Sequence, residues 1–343
     1  MRLSKYDAWA LAHRAAVGAG AAEAVARSLA DATIAAERAG RGAVGFAHLV
    51  DYLAGFAAGR IPGTVEPVIT FPAAALIRAD AKGGIAQRGF DLAFAELRSR
   101  TAAYGITAFA QENSYTAGEL GYYTRRLAEA GLVALAASNG PALVTVAGAS
   151  TAVYGTNPVA FAAPVQGGAP LVIDQASSAT AFVNIRKAAE TGETIPEGWA
   201  VDAAGEPTTD ARAAVKGALL AFGGARGANI ALMVEILAAG LTGANWSLDA
   251  PSFADGDRSP GIGLFVVALK PDLLAPAFPA RLAAQLERLA ASGIHVPGSR
   301  PAVETIELAP SLMAAIEAYC ALPPGGRPGD PARQATQLQE PPP

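Results

Sequence analysis

The sequence predicts a mixed α/β fold with a helical N-terminal subdomain. Alanine-rich segments with apolar residues at helical spacing fill residues 3–39, which predicts two helices separated near residues 18–20. From about residue 65, short apolar runs alternate with helical patterns, as in a sheet covered by helices. The chain has neither a P-loop nor a strand-borne glycine-rich dinucleotide motif, so we do not expect the standard doubly wound fold.

The individual elements follow from periodicity and from Gly and Pro punctuation. Helices are predicted at 46–58, 89–104, 119–130, 182–190, 229–239 and 278–291, and strands at 68–70, 75–78, 106–110, 132–137, 159–163, 171–173 and 264–269. We expect residues 1–64 to form a helical segment that packs with residues 270–322. Residues 65–269 then form the mixed α/β region, and the Pro-rich residues 323–343 a disordered tail.

Composition excludes several classes of protein. Hydrophobic residues make up 52% of the 343 residues and charged residues 16%, as in a globular protein with a large core. The net charge of −4 comes without a basic cluster, which argues against a nucleic-acid partner. Apolar runs are interrupted before membrane-spanning length, and no secretory leader is visible. We therefore expect a cytoplasmic protein without a membrane partner.

The sequence also argues against disulfides and metal sites. Cys320 is the only cysteine, which excludes an internal disulfide and any cysteine-rich metal site. His13, His48 and His295 lie far apart and show no metal-binding spacing. We therefore expect no metal.

A polar stretch follows the predicted strand 106–110. Residues 111–114 and Thr116 are polar, and Gly118 opens a helix-like segment. Such a turn between strand and helix is suited to an anionic ligand. From the local residues alone, the segment is more typical of an ordinary helix start with Ser114 or Thr116 as its N-cap.

Two further charged residues have alternative interpretations. Asp174 follows the apolar strand 171–173, where a carboxylate either caps the next helix or faces a ligand. Arg226 lies in the glycine loop 223–227 before a helix, an arrangement that suits a phosphate but also occurs in plain turns.

An ordered series of motifs resembles a known family. The motifs are Asn113-Ser114 with Gly118, Gly121-Tyr122-Tyr123, Gly155-Thr156-Asn157-Pro158, Asp174-Gln175-Ala176-Ser177-Ser178, residues 195–202, Gly205-x-Pro207-Thr208-Thr209-Asp210, Leu241-Thr242-Gly243-Ala244 and residues 293–298. Together they resemble the type-2 malate/L-lactate dehydrogenase family, which includes ureidoglycolate dehydrogenases and Δ1-piperideine/Δ1-pyrroline-2-carboxylate reductases. The motifs cover residues 5–300, and their order carries more weight than any one motif.

The resemblance implies an NAD(P)-dependent oxidoreductase with a non-Rossmann fold that acts as a homodimer. Residues implied to bind the cofactor, NADPH or NADH, are Ser114, Thr116, Ala117, Gly118, Glu119, Leu120, Asp174, Gln175, Ala176, Ala225, Arg226 and Arg300. The substrate would contact His48, Thr156, Phe182 and Val183, and the catalytic candidates are His48 and Asp174. Arg226 and Arg300 favour the extra phosphate of NADPH.

The sequence departs from the family at its proton donor. The family carries Ser-His-Gly followed three residues later by Arg; its His donates a proton, its Ser relays, and its Arg holds the substrate carboxylate. The corresponding residues here are Ala43, Val44, Gly45 and His48, and Thr116 replaces a second family His. The sequence therefore resembles an atypical member of the family.

The missing donor favours one substrate class over another. Reduction of a ketone needs a proton in the transition state, and a positioned acid contributes about 10²–10⁴-fold. A protonated cyclic imine brings its own proton. We therefore predict reduction of a small 2-imino acid such as Δ1-pyrroline-2-carboxylate. A 2-oxo/2-hydroxy acid dehydrogenase with a relocated acid and a catalytically impaired nucleotide-binding protein remain as alternatives.

The roles of the two catalytic candidates also remain open at this point. His48 either pairs with a substrate carboxylate, donates a proton, or is an ordinary helix histidine. Asp174 either stabilises an iminium, holds the nicotinamide amide, or caps a helix.

Overall fold

The computed structural model describes residues 1–146, 148–149, 151–254, 256–298 and 302–322. The predicted Pro-rich tail at 323–343 lies outside these residues. The helices are α1 Lys5–Gly18, α2 Glu23–Arg38, α3 Phe46–Ala58, α4 Ala86–Tyr104, α5 Gly121–Glu129, α6 Phe182–Thr191, α7 Ala211–Val215, α8 Ala225–Glu235, α9 Phe278–Ala291 and α10 Pro310–Cys320. None of these helices is long and apolar enough to cross a membrane.

The strands form three sheets. They are β1 Arg2–Ser4, β2 Val68–Ala73, β3 Leu76–Asp80, β4 Ile106–Ser114, β5 Val133–Ser138, β6 Val144–Thr145, β7 Val159–Ala163, β8 Leu171–Gln175, β9 Ala200–Val201, β10 Pro207–Thr208, β11 Ala218–Leu220, β12 Ile262–Leu269 and β13 Thr305–Glu307. The main sheet has the order β2-β3-β4-β12-β5-β7-β8, in which only β3 and β4 are parallel. The predicted mixed α/β fold is confirmed.

Helices α4 and α5 cover the main sheet side by side. Their Phe90 and Tyr123 rings meet edge to face with centroids 5.0 Å apart. Both rings belong to the buried core that includes Phe109 of β4 and Val266 of β12. This packing places the N-terminus of α5, and the turn before it, at the edge of the sheet core.

The polar residues 111–114 belong to a strand, where the sequence predicted a turn. β4 continues through Ser114 because it pairs on both sides: Glu112 aligns with Asp80 of β3, and Ser114 with Ile262 of β12. The turn is shorter than expected and comprises residues 115–120, before α5 begins at Gly121. Pairing with the distant strands β3 and β12 keeps residues 111–114 in a strand, although their polar side chains by themselves favour a turn.

The N-terminal helices share a core with the C-terminal segment. Leu11 and Phe46 are buried in one apolar cluster with Ile306 and Ile316, and β1 pairs antiparallel with β13. A Cβ at Gly18 would lie 2.0 Å from the carbonyl oxygen of Tyr319, so only glycine lets α1 and α10 approach this closely. The packing anchors α3, which carries His48.

A second, smaller sheet lies beside the main one. Its order is β10-β9-β11-β6, and α6 and α7 cover it through a core that includes Ile185, Ile195 and Leu219. Helix α6 begins at Phe182, so this sheet supports the predicted substrate contacts.

Candidate active site

His48 and Thr116 contact each other across 68 residues of chain. His48 lies in the first turn of α3, and its Nε2 is 3.0 Å from Thr116 Oγ1 in the turn after β4. Its Nδ1 lies 2.8 Å from the Asp51 carboxylate, one helical turn further along. The two positions at which the sequence departs from the family's histidine and arginine are therefore joined by a hydrogen bond.

Tyr52 and Gln87 extend this contact into the protein. Thr116 Oγ1 lies 2.5 Å from Tyr52 Oη, and Gln87 Nε2 donates to Tyr52 Oη at 3.1 Å and to the Ala117 carbonyl at 3.2 Å. Burial raises the pKa of Tyr52 to about 12, so the phenol keeps its proton at neutral pH.

The chain from Asp51 to Gln87 accommodates two complete proton arrangements. In one, a protonated His48 donates to both Asp51 and Thr116, Thr116 donates to Tyr52, and Tyr52 donates to the Thr116 carbonyl at 3.2 Å. In the other, Tyr52 donates to Thr116, which donates to a neutral His48. The two arrangements differ by one proton, at His48 Nε2.

Asp174 lies near the end of β8 and forms a hydrogen bond with α5. Its Oδ2 accepts from the backbone N–H of Gly121, the first residue of α5, at 2.8 Å. The carboxylate thus caps a helix earlier in the chain, whereas the capping interpretation had placed it on the helix that follows. Arg41 donates to the Asp174 carbonyl at 2.8 Å, so the Arg41 side chain lies against this strand end.

A second buried carboxylate, Glu119, lies in the turn itself. Arg125 donates to its Oε1 at 2.5 Å, and Arg41 Nε lies 3.7 Å away. Burial raises the pKa of both Glu119 and Asp174; the Arg125 hydrogen bond opposes the shift at Glu119, and the Arg41 charge opposes it at Asp174. A Cβ on Gly121 would lie 3.0 Å from Glu119 and 3.2 Å from Asp174, so both carboxylates enclose this backbone.

Thr156 adjoins the Asp174 strand through its backbone. Its carbonyl accepts from the N–H of Ser177 at 2.8 Å. Asn157 follows in the left-handed region with φ 39°, a conformation that costs energy for any residue other than glycine. The neighbouring structure must therefore hold this turn in place.

Glu235, which the sequence analysis missed, provides that support. Its buried carboxylate accepts from Asn157 Nδ2 at 2.7 Å, from the backbone N–H of Ser247 at 2.6 Å and from Ser247 Oγ at 2.7 Å. Ser247 Oγ in turn accepts from the N–H of Gly155. A lone carboxylate within the apolar run of α8 is the signal that would have revealed it.

The remaining residues predicted for the site differ in how exposed they are. Val183, Gln175, Ala225 and Arg226 are exposed, and Phe182, Thr116, Gly118, Thr156 and Ala176 are half-buried. Ser114, Ala117, Glu119 and Leu120 are buried. Ser114 Oγ accepts from Gln111 Nε2 at 2.8 Å and so braces the end of β4. Arg300 lies outside the described residues.

The glycine loop before α8 fits a phosphate group. Gly223 and Gly224 have φ values of 60° and 63°, and a Cβ at Gly227 would lie 1.9 Å from the Phe222 carbonyl oxygen. The first N–H groups of α8 have no partner within the helix. Arg226 is exposed and has no side-chain partner among the described residues. Phe222 N–H donates to Ser177, which joins this loop to the Asp174 segment.

No group of three His, Cys, Asp or Glu side chains among the described residues has an arrangement that could hold a metal ion. The candidate groups in this region are the His48–Thr116 pair, the buried carboxylates and the glycine loop before α8.

Comparison with known proteins identifies the family of the chain. The family model described as malate/L-lactate dehydrogenase matches residues 4–305. The chain is 38% identical over 285 residues to the Δ1-pyrroline-2-carboxylate/Δ1-piperideine-2-carboxylate reductase of Pseudomonas putida, covering 82% of this chain and 84% of that protein. It is 36% identical over 310 residues to the (2R)-3-sulfolactate dehydrogenase (NADP(+)) of Chromohalobacter salexigens, covering 87% and 90%.

A solved structure shows the same fold. The crystal structure of Δ1-piperideine-2-carboxylate reductase from Pseudomonas syringae superposes with a TM-score of 0.88 at 33% identity, covering 93% of this chain and 99% of that chain. The family predicted from the ordered motifs is therefore confirmed: the chain belongs to the malate/L-lactate dehydrogenase family of oxidoreductases.

Proposed function

We propose that the protein is a cytoplasmic, NAD(P)H-dependent reductase of a small cyclic 2-imino acid, for example Δ1-pyrroline-2-carboxylate, which it converts to the amino acid. The observation that carries the proposal is the chemistry of residues 42–44. They form a short 3-10 turn in which Ala43 and exposed Val44 offer no proton to a substrate. A protonated imine needs none, and relatives with 34–38% identity are named as reductases of this substrate class.

His48 serves the substrate carboxylate in this proposal. Asp51 holds the Nδ1 side of the His48 ring, and Nε2 on the other side forms a hydrogen bond with Thr116 Oγ1. A carboxylate that replaces Thr116 as partner gains a charge-assisted hydrogen bond when His48 is protonated. Thr156 supplies a second hydrogen-bonding group, and Phe182 with Val183 forms an apolar wall at the start of α6.

The cofactor lies along the turn 116–120, the end of β8 and the glycine loop before α8. The reduced nicotinamide supplies the hydride. Arg226 and the N-terminus of α8 bind phosphate, and an arginine fork favours the additional phosphate of NADPH. Asp174 and Glu119 hold the α5 end of this surface in this proposal, through the hydrogen bonds of Asp174 Oδ2 with Gly121 and of Glu119 Oε1 with Arg125.

Reduction of a 2-oxo acid is the second candidate, and the His48–Thr116–Tyr52 chain favours it. That chain can deliver a proton at Nε2, which would replace the donor absent from residues 43–44. The 36% identity to a sulfolactate dehydrogenase also supports this alternative.

Parallel assays of NADPH and NADH oxidation distinguish the candidates. We expect turnover with Δ1-pyrroline-2-carboxylate to exceed turnover with pyruvate and oxaloacetate, and kcat/KM to be higher with NADPH than with NADH. Turnover of the oxo acids alone would overturn the imine proposal. Tight NADPH binding without any turnover would instead indicate a catalytically impaired enzyme. Equal kcat/KM values with NADPH and NADH would contradict the proposal that Arg226 binds the additional phosphate of NADPH.

We also propose a homodimer, which an exposed apolar surface on α8 supports. Leu232 and Met233 on α8 are exposed, as is Ile236 directly after its last residue. Trp246, also exposed, lies 3.0 Å from where a Cβ on Gly240 would be. Contiguous apolar surface of this kind is unusual on a monomer and typical of an interface. A second copy of the chain is the occupant we propose.

Charged substitutions on this surface should separate the subunits. The double variant M233D/I236D is expected to halve the mass measured by light scattering after size exclusion, because burying two carboxylates in an apolar interface is strongly unfavourable. The control is Leu274→Asp, at another exposed apolar position, which should leave the mass unchanged. A monomeric wild-type protein at tens of micromolar would contradict the proposal.

A further inference from the structure

A cavity lies beside the residues assigned to the oxidoreductase site and contains none of them. Its volume is about 400 Å³, and it lies beyond the carboxyl ends of the parallel strands β3 and β4. Charged groups of both signs line it, together with amide and hydroxyl groups: Asp80, Lys82, Asn113, Asn245, Asp249, Arg258 and Ser259. A volume of this size suits a small ligand.

The wall of this cavity is held in a strained conformation. Lys82 and Asn113 have φ values of 50° and 56°, and they are two of the three non-glycine residues with positive φ among the described residues. One carboxylate fixes both, because Asp80 Oδ1 accepts from the Lys82 N–H at 2.8 Å and from Asn113 Nδ2 at 3.0 Å. Strain of this kind persists only where surrounding structure imposes it, and it gathers at functional sites.

Three side chains of the cavity, those of Lys82, Arg258 and Ser259, have no protein partner among the described residues. Among the described residues, neither the Lys82 ammonium nor the Arg258 guanidinium has a carboxylate within ion-pair distance, although Asp80 and Asp249 line the same space. The Ser259 hydroxyl oxygen is buried and has no hydrogen-bond partner among those residues. Buried polar atoms are almost always paired in folded proteins, so an unpaired one at a cavity points to a ligand.

From these groups we infer that the cavity binds a small α-amino acid as its zwitterion. The ligand carboxylate pairs with Lys82 and Arg258, and the ligand ammonium with Asp249 and the second carboxylate oxygen of Asp80. A zwitterion satisfies both signs of charge at once, whereas a simple anion or cation leaves one pair unmet. The inference does not depend on the reaction proposed above.

The cavity is separated from His48 by the segment that forms one of its sides. Asp249, Pro251 and Arg258 face the cavity, whereas Phe253 between them packs edge to face on the His48 ring with centroids 5.7 Å apart. A ligand in the cavity therefore does not occupy the active site, and the two sites can be tested separately.

Binding is tested by isothermal titration of the wild-type protein with glycine, L-alanine and L-glutamate, and with acetate and methylammonium as single-charge probes. At least one amino acid should bind at least 10-fold more tightly than acetate or methylammonium. Absence of binding by all three amino acids would overturn the inference. Equal binding of acetate would also overturn it, since the site would then select only an anion.

Single substitutions test whether the amino acid binds in this cavity. Arg258→Met and Asp249→Asn should each weaken the amino acid about 10-fold or more, while Arg98→Met, an exposed arginine on α4, should not. His48→Ala should keep the binding, which separates this cavity from the active site. Unchanged affinity for the amino acid in both Arg258→Met and Asp249→Asn would refute the proposed location. If His48→Ala also loses amino-acid binding, the ligand binds in the active site instead.

Discussion

Replacing His48 with alanine is expected to affect the two candidate reactions differently. With Δ1-pyrroline-2-carboxylate, KM should rise about 10- to 100-fold with little change in kcat, because a charge-assisted hydrogen bond to the carboxylate is lost. With a 2-oxo acid, kcat should fall by about 10²–10⁴-fold, because the proton donor is lost. Steady-state kinetics of NADPH oxidation with each substrate separate the two outcomes.

Thr116→Val is the matched variant for His48. It leaves the imidazole and its Asp51 partner in place but breaks the link to Tyr52. Imine reduction should be affected less than oxo-acid reduction, because the substrate carboxylate displaces Thr116 from His48 in the first reaction, whereas the second needs the Thr116 link to Tyr52. If His48→Ala leaves both kinetic constants unchanged with both substrates, His48 has no role in either reaction.

Glu235→Ala is expected to lower the free energy of unfolding by about 2–4 kcal/mol. The substitution leaves the Ser247 N–H and one Asn157 N–H buried without an acceptor, and each such group costs about 1–3 kcal/mol. Because Asn157 needs support for its positive φ, Thr156 should also lose its position, and KM for the substrate should rise. Urea unfolding and steady-state kinetics measure the two effects.

The controls for Glu235 are one conservative and one remote substitution. Glu235→Gln keeps one acceptor but turns an amide N–H₂ toward other donors, so its effect should be intermediate. Glu190→Ala removes an exposed carboxylate on α6 and should change stability by less than about 0.5 kcal/mol. Equal stability of Glu235→Ala and Glu190→Ala would show that the buried carboxylate does not hold the Asn157 turn.

Local sequence signals predicted the elements whose boundaries are set by nearby residues. The helices Phe46–Ala58 and Phe278–Ala291 and the strand Val159–Ala163 begin and end where expected. The repeat of apolar residues that indicates a helix or a strand is visible within a few neighbouring residues. The end of α3 is also a local signal, because Gly59 adopts the left-handed conformation that ends a helix. The prediction was wrong at residues 111–114, because β3 and β12 extend β4 from distant parts of the chain.

The candidate site shows the same division. Sequence alone indicated His48, Thr116 and Asp174 as unusual residues, since each stands in a motif or after an apolar strand. It did not indicate that His48 contacts Thr116, or that Asp174 caps α5. Both contacts join residues more than 50 positions apart, and no periodicity or spacing encodes such a pairing.

By itself, therefore, the sequence determined the mixed α/β class, most helices and strands, and membership of the malate/L-lactate dehydrogenase family. Only the tertiary structure decided which side chains meet: His48 with Thr116, and Glu235 with Asn157. The physical reason is that helix and strand periods arise from neighbouring residues, whereas a buried hydrogen bond depends on how distant elements pack.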